Sequence, residues 1–447
     1  MTVFDAVIVG GGIGGYPAAV ELARNGLKTA IVSEGLIGGE CTNYGCIPTK
    51  ALISSITHGS SGWNKALRFA REAVIRSRNG LEEVLRLYRV KIYRERARLA
   101  LENGVYKILL SGGGVLEAPR VLVATGSSPR VPRVLRGLRR VLDNRSILLL
   151  EKAPRSMLII GGGAVGVEYA RILSTLGVKV YLVEMMHQVL PGFPRDLSRQ
   201  VAKGLSGLGV ELHLSTVVEE VAESGEGLDI LLSDGSRLKA EYILNATGRV
   251  PNTSGIGLED VGVELSEEGY IKINAKMETS SDGVYAAGDV TGPPMLAHKA
   301  YHQSLVAAEN MMGGDRVFDK PVPVMVFSYP EVAYVGMSWS EARKKGLKAS
   351  RKRIPLSFHT RSFIEGWSEG FARIVYLEDT GAVIGFEMAG PLASELVGLA
   401  SILVSLGVSI WDLGQPVIPH PSMVELFTWL FEAARGKPIH FYEKPRP

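Results

Sequence analysis

The stretch AVIVGGGIGGYPAAVEL at residues 6–22, followed by TAIVSE at 29–34, decides the fold. An apolar, strand-like run ends in a glycine-rich turn, which then feeds a helical stretch. Gly10 permits the tight turn, Gly12 lets a pyrophosphate approach the backbone at the helix N-terminus, and Gly15 lets helix pack on strand. Glu34, at the close of the second strand, is the expected acceptor for a ribose hydroxyl. One such run is a weak signal, because glycine-rich turns are common. It recurs as MLIIGGGAVGVEYA at 157–170, with Gly161, Gly163 and Gly166, and closes on Glu184. Two complete series of strand, turn, helix, strand and acid predict an α/β protein with two Rossmann-like dinucleotide-binding domains.

A second pair of segments extends the repeat. VLVATGSSP at 121–129 is echoed by ILNATGRVPN at 243–252, which puts Gly126 and Gly248 at matching places behind their own fingerprints. The first copy is longer because it holds an Arg-rich helical stretch from about Lys65 to Arg98 and a run with both cysteines of the chain. Charge at helical spacing reads as a solvated face, in preference to a docking surface. ETSSDGVYAAGDV at 278–290 reads as a return to the first domain, and the remainder from about Pro321 shows strand-like alternation and then helices. The expected division is 1–150 and 274–320 for the first nucleotide domain, 151–273 for the second, and 321–447 for an α+β C-terminal domain.

The chemistry is concentrated in GGECTNYGCIPTK, residues 38–50, where Cys41 and Cys46 stand five apart. In a regular helix that spacing separates Cα atoms by ~8.6 Å, beyond the ~7 Å that a disulfide tolerates. The thiols can therefore bridge only if the chain is irregular between them. Gly45 supplies that freedom, and Pro48 suits the first turn of a following helix. A structural staple or a metal clip is the plainer alternative, but so short a loop stabilises little and no further cysteine can complete a thiolate site. Redox activity is the favoured reading of the pair.

The rest of the composition describes an ordinary surface. The 447 residues carry a formal net charge of +4 with 21% charged residues, which gives no electrostatic case for nucleic acid or membrane as the main partner. Met1 runs directly into the apolar strand around Val7–Val9 with Asp5 inside it and no cleavage site, so neither a signal peptide nor a membrane span is expected, and a cytoplasmic location is.

Together these motifs resemble the pyridine nucleotide-disulfide oxidoreductase family, most nearly its dihydrolipoamide dehydrogenase branch, over essentially the whole chain. The resemblance implies the order FAD domain, NAD domain, returning FAD segment and dimerisation domain. It assigns Gly10, Gly12, Gly15 and Glu34 to FAD, Gly161, Gly163, Gly166 and Glu184 to NAD, and Asp289 to the ribityl chain of the flavin. The negative charge of Glu184 favours NAD over a 2′-phosphorylated nucleotide. Cys41 is implied as the exchange sulfur and Cys46 as the sulfur against the flavin, with Lys50 and Glu168 as an ion pair near its reactive nitrogen. MLAHKA at 295–300 is similar to the run after the ribityl-binding aspartate in dihydrolipoamide dehydrogenases, and the similarity fades at Tyr301, His302 and Gln303.

The base that thiol–disulfide exchange needs is sought in IPHPSMVEL, where His420 and Glu425 resemble the C-terminal histidine and orienting glutamate of the family. Ile418 stands where the family usually has another histidine. The resemblance implies a cis His420–Pro421 bond and a homodimer whose active sites are shared, His420 and Glu425 from one subunit meeting the cysteines of the other. The implied substrate is a dihydrolipoyl group, free or on a carrier protein, and membership of an oxoacid dehydrogenase complex is one possible setting. A reductase of another small or protein disulfide, working from NADH or NADPH, shares every one of these motifs. A flavoprotein acting mainly as a docking subunit is the reading from a different class. No metal site is expected.

Overall fold

The computed structural model describes residues 2–59, 62–225, 227–412 and 417–441. Two compact units emerge: 1–137 with 141–153 and 247–319, and 138–140 with 154–246 and 320–447.

In the first unit β1 (Ala6–Val9) runs into α1 (Tyr16–Arg24), β2 (Thr29–Val32), α2 (Gly39–Tyr44), α3 (Cys46–Thr57) and α4 (Trp63–Leu87), then β3 (Lys91–Tyr93) and β4 (Val121–Val123). Every residue of β1 and β2 is buried. Such continuous burial belongs to a parallel sheet covered on both faces. Val9 pairs in parallel with Val32 on one side and with Val123 on the other. One face packs Val7, Val9, Val121 and Val123 against Leu258 and Ile271; the other packs Ile8, Ile31 and Leu122 against Ala18, Ala19 and Leu22 of α1. On α4, Trp63, Ala66, Leu67, Ala70 and Leu85 point inward, while Lys65, Arg68, Arg71, Arg76 and Arg86 are exposed, as a solvated face requires.

The second unit repeats the scheme with β5 (Ser156–Ile160), α5 (Ala164–Thr175), β6 (Lys179–Glu184), β7 (Glu211–Leu214) and β8 (Tyr242–Asn245). These four strands are parallel in the order β8, β5, β6, β7. The chain rejoins the first unit at Thr247, where Arg249–Pro251 pairs antiparallel with Ser127–Pro129. It then supplies β9 (Val284–Ala286), which completes the first sheet beside β4, and α6 (Ala297–Met311).

The C-terminal part of the second unit is an antiparallel sheet of β10 (Val324–Val326), β11 (Val332–Gly336), β12 (Ala349–Pro355), β13 (Phe371–Leu377) and β14 (Val383–Ala389), in the order β10, β11, β14, β13, β12. Helices α7 (Ala393–Ser405) and α8 (Glu425–Ala434) cover it through Leu396, Val397, Leu426, Leu430 and Phe431. Arg373 is buried between Glu387 at 2.7 Å and Asp196 at 2.5 Å, so a strand of this sheet is tied to the nucleotide half of the same unit. Buried charge of this kind survives only because it is paired, and loss of one partner leaves the other stranded. The fold is thus α/β with two Rossmann-like domains and an α+β C-terminal domain. Among the described residues no helix is long and apolar enough to cross a membrane.

Candidate active site

A Cβ on Gly10 would lie 2.2 Å from the Ala124 carbonyl oxygen, and one on Gly15 would lie 2.0 Å from that of Gly10. The second fingerprint repeats this, with 1.9 Å from a Cβ on Gly166 to the Gly161 oxygen. The middle glycines differ. Nothing lies within 4 Å of a Cβ on Gly163, and the nearest atom to one on Gly12 is the Gly39 Cα at 3.7 Å. At Gly10, Gly15 and Gly166 the space is filled by the fold itself, whereas Gly12 and Gly163 leave the backbone open in front of α1 and α5, as the approach of a pyrophosphate requires.

The acids of the two fingerprints occupy different places. Glu184 is the last residue of β6 and is buried, its carboxylate accepting the Gly162 N–H at 2.6 Å and the Met186 N–H at 2.8 Å. In the first unit the register equivalent is Ser33, because Gly10 and Gly161 each donate to the residue before it, Val32 and Val183, at 2.8 Å. Glu34 lies one residue further on, exposed and ion-paired with Arg96. Ser33 escaped the sequence reading, which looked for an acid; counting 23 residues from the first glycine of each run would have found it.

Around the flavin-type fingerprint, Asp289 accepts the Ser127 hydroxyl at 2.5 Å. Lys299 of α6 is buried and donates to the Gly292 carbonyl at 2.7 Å; burial pushes its ammonium down, and the charge of Asp289 opposes that. Gly126 and Gly248, both in the left-handed region, flank the paired ribbon, so the two ATG segments meet each other within the first unit. Arg249 donates to the Ser127 hydroxyl at 2.6 Å and to its carbonyl at 2.7 Å.

Cys41 lies in α2 and Cys46 opens α3, with Gly45 between the helices at φ −121° and ψ −103°. The break falls where the spacing demanded one. The two cysteines are hydrogen-bonded to each other, and that bond is the main reason the Cys41 thiol is pushed far up; burial adds to this, and the Lys50 ammonium works the other way. Asn43 fixes the preceding loop by donating to the carbonyls of Ile37 at 3.0 Å and Gly39 at 2.9 Å. Lys50 belongs to the first unit and Glu168 to the second, where Glu168 is buried and accepts the Phe327 N–H at 3.2 Å.

His420 Nδ1 lies 2.9 Å from Glu425 Oε1, and the other carboxylate oxygen accepts the Ser422 N–H at 2.7 Å. The His420–Pro421 bond is cis. Burial raises the Glu425 carboxyl, but the Ser422 N–H and His420 outweigh it and hold the group below its ordinary range. With Nδ1 donating to the carboxylate, Nε2 is left as the basic nitrogen. The His420 side chain is 73% exposed, which leaves that nitrogen accessible. His359, buried beside Trp429 with ring centroids 4.9 Å apart, is a second imidazole in this neighbourhood that no motif announced.

Comparison with known proteins gives the chain its family. A dihydrolipoyl dehydrogenase of Thermus scotoductus is 36% identical over 99% of this chain and 100% of its own length. One from Haloferax volcanii is 31% identical over 98% and 97%. Among solved structures, LpdA from Mycobacterium tuberculosis superposes with a TM-score of 0.90 at 27% identity, covering 97% of this chain and 100% of that one. The HOCl-induced flavoprotein disulfide reductase RclA from Escherichia coli gives 0.89 at 26% identity, covering 96% and 99%. The family profile for pyridine nucleotide-disulphide oxidoreductases matches residues 4–304, and that for their dimerisation domain matches 322–431. With both nucleotide fingerprints, the paired thiols and the C-terminal domain accounted for, the chain belongs to the pyridine nucleotide-disulphide oxidoreductases, a family that uses FAD and NAD.

Proposed function

We propose that the protein is a dihydrolipoamide dehydrogenase acting as a homodimer, with the cysteines of one subunit served by His420 and Glu425 of the other. The observation that carries this is the pair of cysteines on two helices separated by Gly45 directly behind a dinucleotide fingerprint, together with a carboxylate-oriented histidine in the dimerisation domain. Its dihydrolipoyl dehydrogenase relatives, matched over the full chain, support the substrate class.

In this reading a dihydrolipoyl thiol gives its proton to Nε2 of His420, and the resulting thiolate attacks Cys41 of the oxidised pair. A sulfur–sulfur bond forms to Cys41 and the Cys41–Cys46 bond breaks, releasing Cys46 as a thiolate. The second dihydrolipoyl thiol then attacks the substrate sulfur of the mixed disulfide, closing the lipoyl ring, and its proton goes to the departing Cys41 sulfur. Glu425 stabilises the imidazolium in between. Lys50, whose charge favours a thiolate at Cys41, and Glu168 are proposed partners near the flavin. Bound FAD supplies the two-electron relay that returns the cysteines to the disulfide and passes the reducing equivalents to NAD.

Gly10, Gly12, Gly15, Ser33, Glu34, Gly126 and Asp289 would hold the flavin nucleotide, and Gly161, Gly163, Gly166, Glu184 and Gly248 the nicotinamide nucleotide. The functional division is 1–150 with 274–320, 151–273, and 321–447, although 247–273 packs with the first unit. A lipoylated carrier within an oxoacid dehydrogenase complex, in the cytoplasm, is the proposed setting. The structural likeness to RclA keeps one alternative, reduction of a different disulfide by NADH or NADPH.

The test is NAD reduction by dihydrolipoamide with purified yellow protein, with NADP in parallel and Cys46→Ser as the blank. Turnover with NAD, lost in the variant, supports the proposal. No turnover, in a protein whose cysteines NADH still reduces, refutes lipoamide as substrate and leaves another disulfide.

A further inference from the structure

The residue that precedes the exchange cysteine is a carboxylate with an unusual number of partners. Glu40 Oε1 accepts the Asn144 side-chain amide at 2.6 Å and lies 3.5 Å from Arg249 Nη1. Its Oε2 accepts Arg145 at 3.0 Å from Nε and 2.5 Å from Nη2. The same Asn144 amide also donates to the Tyr44 carbonyl at 3.0 Å, and Asn144 is buried. One side chain therefore spans α2 from its first turn to its last residue, the residue that borders the Gly45 break. The Arg145 guanidinium sits 4.8 Å above the Tyr44 ring, closing the bracket from outside.

The bracket is itself rigid. Asp143 Oδ1 accepts the backbone N–H groups of Arg145 at 3.0 Å and Ser146 at 2.7 Å and the Ser146 hydroxyl at 2.7 Å. Arg71 and Trp63 of α4 hold the following turn through the carbonyls of Leu148 at 3.0 Å and Leu150 at 2.8 Å. On its other side Glu40 is continuous, through Arg249 and Ser127, with Asp289. The segment carrying Cys41 is thus connected by side chains to the carboxylate assigned to the flavin.

We propose that Glu40, Asn144 and Arg145 are positioning residues that hold α2 against the Gly45 break and so set the dithiol–disulfide equilibrium of Cys41 and Cys46. The proposal rests on the reading of that pair as the redox centre. A fixed α2 keeps the two hydrogen-bonded sulfurs together, which favours the disulfide as any pre-organised intramolecular reaction is favoured. Loss of Glu40 therefore shifts the equilibrium towards the dithiol.

Because the chain has two cysteines, alkylation followed by mass measurement reads this pair directly. Wild type, Glu40→Ala, Glu40→Gln, Asn144→Ala and the control Glu83→Gln, whose exposed ion pair with Arg86 is remote from the motif, are equilibrated in dithiothreitol redox buffers. Glu40→Ala is expected to shift the equilibrium constant about tenfold towards the dithiol, ~30 mV for a two-electron couple. Glu40→Gln and Asn144→Ala should shift it less but in the same direction, and Glu83→Gln should match wild type. If Glu40→Ala fails to fold, Glu40→Gln and Asn144→Ala decide. All variants within twofold of wild type would overturn the clamp while leaving the redox reading intact. A wild type that forms no disulfide in any buffer would remove both.

Discussion

The two nucleotide fingerprints fold alike and use their acids differently. Both start from a buried strand, lock the third glycine against the carbonyl oxygen of the first and leave the middle glycine open. In the second copy the acid ends the strand and is held by two backbone N–H groups; in the first, a serine takes that place and the acid lies outside, on Arg96. Shared turn geometry fixes where a pyrophosphate can lie. What the strand end presents to the ribose is set separately. The first copy also differs by what it inserts, a redox segment hydrogen-bonded to the 143–146 turn, and among the described residues nothing corresponding interrupts the second.

The sharpest break of the comparison is Cys41→Ser, which should abolish dihydrolipoamide-dependent NAD reduction while leaving nucleotide binding in both units, measured by flavin content and NADH titration. Next come the locked glycines. Gly15→Ala and Gly166→Ala each drive a Cβ to within 2.0 Å of a carbonyl oxygen and should cost at least about 3 kcal/mol in urea unfolding. Gly163→Ala meets nothing within 4 Å, so its stability should match wild type while NADH affinity falls about tenfold, ~1.4 kcal/mol. If Gly163→Ala unfolds as Gly166→Ala does, the ligand-facing role of the middle glycine is wrong.

The acids give a smaller contrast. Glu184→Ala strands the buried Gly162 N–H and frees the partly buried Met186 N–H, and should cost ~1–3 kcal/mol, with NADP use rising relative to NAD. Glu34→Ala removes only an exposed ion pair and should cost below ~1 kcal/mol. Equal effects would erase the distinction drawn between the two strand ends.

The smallest effect is that of pH on the dyad. Glu425 titrates below the ordinary carboxylate range, so its contribution is present above the unfolded value and is lost as pH falls through the lower folded value. Turnover near neutrality should therefore be insensitive to Glu425 protonation. Glu425→Gln should instead lower kcat at neutral pH, by about tenfold to a hundredfold, because the imidazolium loses its carboxylate.

Much of the first contrast was legible in the chain. The glycine spacings, the paired ATG segments and the cysteine run each carry local backbone requirements, and local requirements are written in residue type. The break at Gly45 followed from helix geometry alone. Glu34 shows the limit, since one residue of strand register decides which side chain faces a ligand, and register is settled by pairing with β1 and β3. The clamp was illegible for a related reason, because Glu40 and Arg145 are 105 positions apart and Glu40 and Arg249 are 209 apart.

By itself the sequence determined the class of fold, the two nucleotide sites and the pair of sulfurs, because each is specified by residues close in the chain whose backbone or chemistry admits few alternatives. Only the tertiary structure decided which acid ends a strand, that the ATG segments pair with one another in the first unit, and that the 143–146 turn grips the redox helix. Those outcomes depend on register and long-range packing, where the free energy of a contact belongs to residues that no spacing in the sequence connects.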